Sequence, residues 1–254
     1  MEVVRIEASP RALARIGGLL YLIMIVIGIF DEAFVKGRIV VSGDAAATAG
    51  NLRSMEFLWR LGIAGELIMI LCSVTLALIL YVLLRPVSND LALLATFFGL
   101  VANAVQAAYS LQLVEALFPL GNAVLLEAFT REQLDAMASL ALKSHVLGFG
   151  IALLIFGPFF LVSGYLIFRS TYFPRAVGVL YQIAGVGYLI NGFVLVLASR
   201  FAGPIFIAIA LPVFVGEASF CGWLLVKGVN MERWKALALR ADPGLVRGEA
   251  CAGS

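Results

Sequence analysis

Apolar positions in this chain fall into long runs separated by short polar stretches. Six runs, at about 13–34, 57–84, 91–118, 144–168, 174–198 and 202–226, carry few charges. At about 1.5 Å of rise per residue, each reaches across the roughly 30 Å hydrocarbon core of a bilayer. The pattern predicts an all-α fold, a polytopic membrane helix bundle. Residues 1–229 form its single integral-membrane domain, and 230–254 form a cytoplasmic, partly disordered tail.

The polar breaks carry their own signals. Arg5, Arg11 and Arg15 precede the first run, and Asp31 and Glu32 interrupt its far end. That run is a spanning helix or an uncleaved signal-anchor. The small-residue site Ala45-Ala46-Ala47, which a cleaved signal peptide would use, lies far beyond it. Asp44 is placed to cap a short helix through Ala49, and Arg85-Pro86 stops the second span. Residues 119–144 are amphipathic: Thr130 to Gln133 fits a capping box, and Leu134, Met137 and Ala141 then share a face. This predicts an interfacial helix between spans three and four. Pro158 predicts a kink in the fourth span, and Pro212 lies near the middle of the sixth. Tyr172, Trp223 and Trp234 fall at span ends, as an aromatic belt requires. The last four residues, Cys251 to Ser254, match a prenylation box only superficially, because Gly253 fits it poorly.

Glycines add a second period. Gly150, Gly157 and Gly164 lie in the fourth span, and Gly178, Gly185 and Gly192 in the fifth. A spacing of seven keeps each set on one face, with roughly 20° of drift per step. Such glycines cost about 1 kcal/mol each in an aqueous helix. In a membrane, small residues let backbones approach, so these two spans read as a hairpin closed along two glycine faces.

Composition narrows the function classes. Charged residues make up 13% of the chain and hydrophobic ones 62%, against about 25% charged in soluble domains. The net charge of +2 and the lack of a dense basic run exclude a nucleic-acid interface. Cys72, Cys221 and Cys251 form no disulfide framework, and His145 is the only histidine. A bis-histidine haem and a histidine-rich zinc site within one chain are therefore excluded, and no cofactor or metal is expected. Basic residues outnumber those opposite on the side that bears the termini, so the positive-inside rule places both termini in the cytoplasm of a cell (plasma) membrane.

Several blocks of sequence are together more specific than any one alone. They are residues 43–49 (Gly-Asp-Ala-Ala-Ala-Thr-Ala), 57–63 (Phe-Leu-Trp-Arg-Leu-Gly-Ile), 80–87 (Leu-Tyr-Val-Leu-Leu-Arg-Pro-Val), 164–170, 173–189 and 223–228. In these the chain, over roughly residues 10–230, resembles the bacterial multi-pass membrane family catalogued as domain of unknown function 4386. The family often has an arginine early in the third span, where this chain reads Phe97-Phe98-Gly99-Leu100. The resemblance implies a bacterial multi-pass membrane protein and no activity.

Chemistry has to be sought among polar residues inside the spans, where an ionisable group costs about 2.5–3.5 kcal/mol on insertion scales. The candidates are Arg60, Glu66, Asn103, Gln106, Tyr109, Glu115, His145, Asn191 and Glu217. All but Asn103 and Glu217 are expected to converge on an outward-facing polar pocket. Each also has a structural reading, as an interhelical hydrogen bond or a snorkelling side chain. Glu66 and Glu217 are the deepest, and each must be protonated or paired across helices. No serine-nucleophile elbow, zinc-protease, phosphate-loop or Cys-x-x-Cys motif occurs. Three readings follow: a binder of a small molecule or lipid; a membrane-embedded enzyme acting on a lipid or redox carrier; or a structural or regulatory protein whose glycine faces assemble with a partner or a second copy.

Overall fold

The computed structural model describes residues 9–121 and 124–241. The end of the tail, with its prenylation-like box and its expected disorder, lies outside the described residues. Helix α1 (Pro10–Phe30) is capped by the Ser9 hydroxyl and passes through a π-helical turn (Asp31–Lys36) into one further turn, α2 (Gly37–Ile39). Asp44 Oδ1 accepts from Ala47 N and starts α3 (Ala45–Ser54). Then come α4 (Glu56–Leu84) and α5 (Asn89–Glu115). After two short 3₁₀ turns come α6 (Arg131–Arg169), α7 (Arg175–Leu197), α8 (Ala202–Val226) and α9 (Met231–Ala241). Among the described residues there is no strand.

Six helices are long and apolar enough to span a membrane. The Thr130–Gln133 capping box is present in both directions. The amphipathic stretch it opens continues without a break into the fourth span, giving a 39-residue helix of about 58 Å. Roughly half of that length extends past a 30 Å core.

The spanning helices pack in chain order, α1–α4–α5–α6–α7–α8, and α8 returns to α1. This closed ring surrounds a core in which Tyr21, Leu80, Leu83, Phe160, Leu166, Tyr181, Phe220 and Leu224 are buried. On the outside, large apolar side chains stay uncovered: Val26, Leu71, Val101, Val196 and Ile207 are all exposed. In water so much exposed apolar surface would drive aggregation. In lipid it is the solvent-facing surface, while the backbone is satisfied within each helix. The chain is a multi-pass membrane protein.

The hairpin of α6 and α7 closes as the glycine period predicts. A Cβ at Gly164 would lie 2.8 Å from the Gly178 carbonyl oxygen, one at Gly185 2.9 Å from that of Gly157, and one at Gly192 3.0 Å from that of Gly150. The three pairs lie symmetrically about the turn, one heptad apart, so the backbones touch along the seam.

Two ends of the ring can be told apart. The near end carries Pro10, the α6–α7 turn and α9. The far end carries α2, α3 and the start of α6, joined by a second apolar cluster that includes Val35, Ile39, Leu52, Trp59, Leu113 and Leu142. There Arg53 bonds Asp135 at 2.8 Å, tying α3 to α6, and Trp59 Nε1 donates to the Leu113 carbonyl at 2.9 Å.

At the near end α8 stops at Val226, and Gly228, with a φ of +63°, reverses the chain into α9. An L-residue pays roughly 1–2 kcal/mol for that conformation. Gly228→Ala should lower the melting temperature of the purified protein by a few degrees, while Gly203→Ala, where a Cβ would meet nothing, should not. Equal melting of the two variants would refute this reading of the turn.

Candidate functional site

The deepest carboxylate of α4 is Glu66, ten residues from the helix start and so about 15 Å below it. Two other helices supply its partners. Ser110 Oγ of α5 donates to Glu66 Oε1 at 2.6 Å, and His145 Nε2 of α6 lies 3.2 Å from the same oxygen. Glu66, Ser110 and His145 are 3%, 3% and 4% exposed. The far-end apolar cluster lies between them and that face of the bundle.

The π-helical turn of α1 borders this cluster. Asp31 and Lys36 are five residues apart, which in an α-helix would put them about 140° apart around the axis. The wider turn brings them together, and Lys36 Nζ meets Asp31 Oδ2 at 2.8 Å. Gly62 makes room for this: a Cβ there would fall 2.8 Å from Asp31 Oδ1. The Lys36 ammonium sits 6.0 Å from the Phe149 ring, which also stacks on His145, so the two polar pairs share a wall.

Asn103 extends the site toward the membrane centre. It is one heptad before Ser110 and so on the same face of α5. Its Nδ2 donates to the Gly99 carbonyl at 2.8 Å, but its buried Oδ1 has no hydrogen-bond partner among the described residues. A buried acceptor left unpaired costs about 1–3 kcal/mol.

The other candidates are dispersed. Tyr109 packs its ring on Gly148, one turn from His145, and borders the cluster. Gln106 contributes its carbonyl to Ser110, and its side chain is half-buried. Arg60 pairs with Glu56 at the exposed start of α4. Glu115 ends α5, half-buried. Asn191 is buried in α7, which packs between α6 and α8.

Glu217 belongs to a second, separate cluster. Tyr188 OH of α7 donates to Glu217 Oε1 of α8, and Tyr21 OH of α1 donates to Tyr181 OH at 3.4 Å beside it. Phe160 and Phe220 pack against the Tyr181 ring at 4.4 and 5.0 Å between centroids. Buried tyrosines seek hydrogen-bond partners, and that is the signal by which the sequence could have revealed Tyr21, Tyr181 and Tyr188. Ser110, Asp31 and Lys36 gave no comparable signal.

Ser110 and His145 both bond Glu66, so the carboxylate is the hub and the imidazole does not lie between the other two. The arrangement is not that of a serine hydrolase, in which the histidine bridges hydroxyl and carboxylate. Among the described residues no group of three His, Cys, Asp or Glu is placed to hold a metal ion.

The profile of the family described as domain of unknown function (DUF4386) matches residues 16–228, which takes in the first span from Ile16 onward and the other five whole. The chain belongs to the DUF4386 family. An uncharacterised protein of Archaeoglobus fulgidus is 30% identical over 166 residues, covering 65% of this chain and 83% of its own length. That relative is archaeal, so family likeness alone does not make the DUF4386 chain bacterial. No solved structure matches it.

Proposed function

We propose that this DUF4386 protein binds a small molecule or lipid in the far half of the membrane, at the Glu66–Ser110–His145 cluster. The observation that carries the proposal is the unmade acceptor of Asn103, one heptad along α5 from the Ser110 that holds a sealed carboxylate. Packing alone needs none of these groups, since apolar residues of the same size serve a bundle core equally well. Carboxylate and amide oxygens together favour a ligand rich in hydrogen-bond donors, such as a hydroxyl or an amine. The excess of basic residues at the near end supports a cell-membrane protein with both termini in the cytoplasm, which puts the site in the outer leaflet.

A second reading rests on the direct Glu66–His145 contact. It is a membrane enzyme acting on a lipid or redox carrier, with the pair as its acid and base.

Native mass spectrometry of the protein in mild detergent, beside Glu66→Gln, tests the first reading. A bound mass on the wild type that the variant lacks is the expected result. A bare wild type, or a mass retained by the variant, would remove the site. Turnover of the captured molecule would favour the second reading.

A further inference from the structure

The opposite end of the ring holds a cleft that the Glu66 cluster does not touch. It has a volume of about 530 Å³ and is lined by Arg11, Tyr172, Trp223, Lys227 and the Gly228–Glu232 segment. Its position follows from the fold. Arg11 lies in the first turn of α1 and Lys227 directly after α8, so both cations stand at the level where a spanning helix meets the headgroups.

The walls are fixed. Tyr172 OH and Trp234 Nε1 both donate to the Leu83 carbonyl, at 2.7 and 3.1 Å, satisfying an acceptor that the end of α4 would leave unpaired. Tyr172 is thus buried in protein and does not form a lipid-facing belt. Its burial pushes the phenol pKa well above the ordinary value, so the hydroxyl keeps the proton it donates. Arg233 donates to the Thr171 carbonyl at 3.0 Å and holds α9 on the α6–α7 turn.

Two features of the cleft point to an anion. Among the described residues neither Arg11 nor Lys227 has a carboxylate within ion-pair distance. The first turn of α9 lines the cleft, and helix N-termini favour negative charge. Glu232 opposes them with one negative charge. We propose that this cleft binds a phosphate group at the membrane surface, with Arg11 and Lys227 as its cations. A guanidinium fork and an ammonium suit phosphate oxygens, and basic pockets between helix ends take anionic headgroups.

The test is the melting temperature of the full chain in neutral detergent, titrated separately with dioleoyl phosphatidylglycerol, dioleoyl phosphatidylcholine and inorganic phosphate. Phosphatidylglycerol should raise it saturably, and phosphatidylcholine should not. The Arg11→Gln/Lys227→Gln variant should melt as the wild type does without additive, yet need at least ten times more lipid. The exchanged pair Arg11→Lys/Lys227→Arg should retain the response, and Glu232→Gln should strengthen it a few-fold. Glu66→Gln should leave it unchanged, which separates this site from the far one. Protection by inorganic phosphate at equal concentration would assign the site to free phosphate, with the same residues. No protection by either, or an equal loss in Arg85→Gln on the same face, would overturn the proposal.

Discussion

Gly178→Leu should fail to accumulate as a folded, monodisperse protein. A Cβ at Gly178 would lie 2.5 Å from Phe168 N and 2.8 Å from the Gly164 carbonyl oxygen, both backbone atoms of the facing helix. Neither can rotate away, so the helices must part along the whole seam. Overpacking of this kind costs typically 1–3 kcal/mol and sometimes more, and a leucine adds three further carbons. Even Gly178→Ala should be destabilising, although alanine gains about 1 kcal/mol of helix propensity over glycine. Gly222→Ala in α8 makes the opposite case, since a Cβ there meets nothing within 4 Å and only the propensity gain remains. Melting in detergent should therefore fall for Gly178→Ala and hold or rise for Gly222→Ala. Equal behaviour of the two would mean that the seam is not close-packed.

His145→Leu is the second large effect. It leaves Glu66 buried with only the Ser110 hydroxyl. Removing one partner of a buried pair costs about 3–5 kcal/mol, because the other group remains desolvated. Glu66→Met together with His145→Leu should recover most of that loss, since no unpaired charge is left and side-chain volume is nearly kept. The comparison is made by thermal melting of the three variants with the wild type. A double variant less stable than His145→Leu would show that the cluster holds the bundle together.

These two sites were legible in the sequence to different degrees. The seam was written in a spacing of seven, and both helices turned out regular enough to keep that spacing on one face. The six spans were legible for a similar reason, because twenty-odd apolar residues have few other uses. The polar cluster was half legible. Glu66 and His145 were singled out by their rarity in apolar runs, and the structure joins them. Arg60 carries as much charge, but it lies one turn into α4, where it reaches Glu56 and water. Asn191 reads like Asn103, yet α7 packs between α6 and α8 and not beside α4. Choosing between such residues needs the packing order of the ring, which no periodicity contains. Asp31 and Lys36 were hidden for another reason. A reading at 3.6 residues per turn separates them, and only the π-helical turn brings them together.

The central claim is that the Glu66 cluster is kept for a ligand and not for the fold. The most direct test uses one preparation of the Glu66→Met/His145→Leu variant, with melting and native mass spectrometry measured side by side with the wild type. Melting within a few degrees of the wild type, with loss of the mass that the wild type carries, is the expected result. A variant that still carries that mass would contradict it, as would a wild type that carries none.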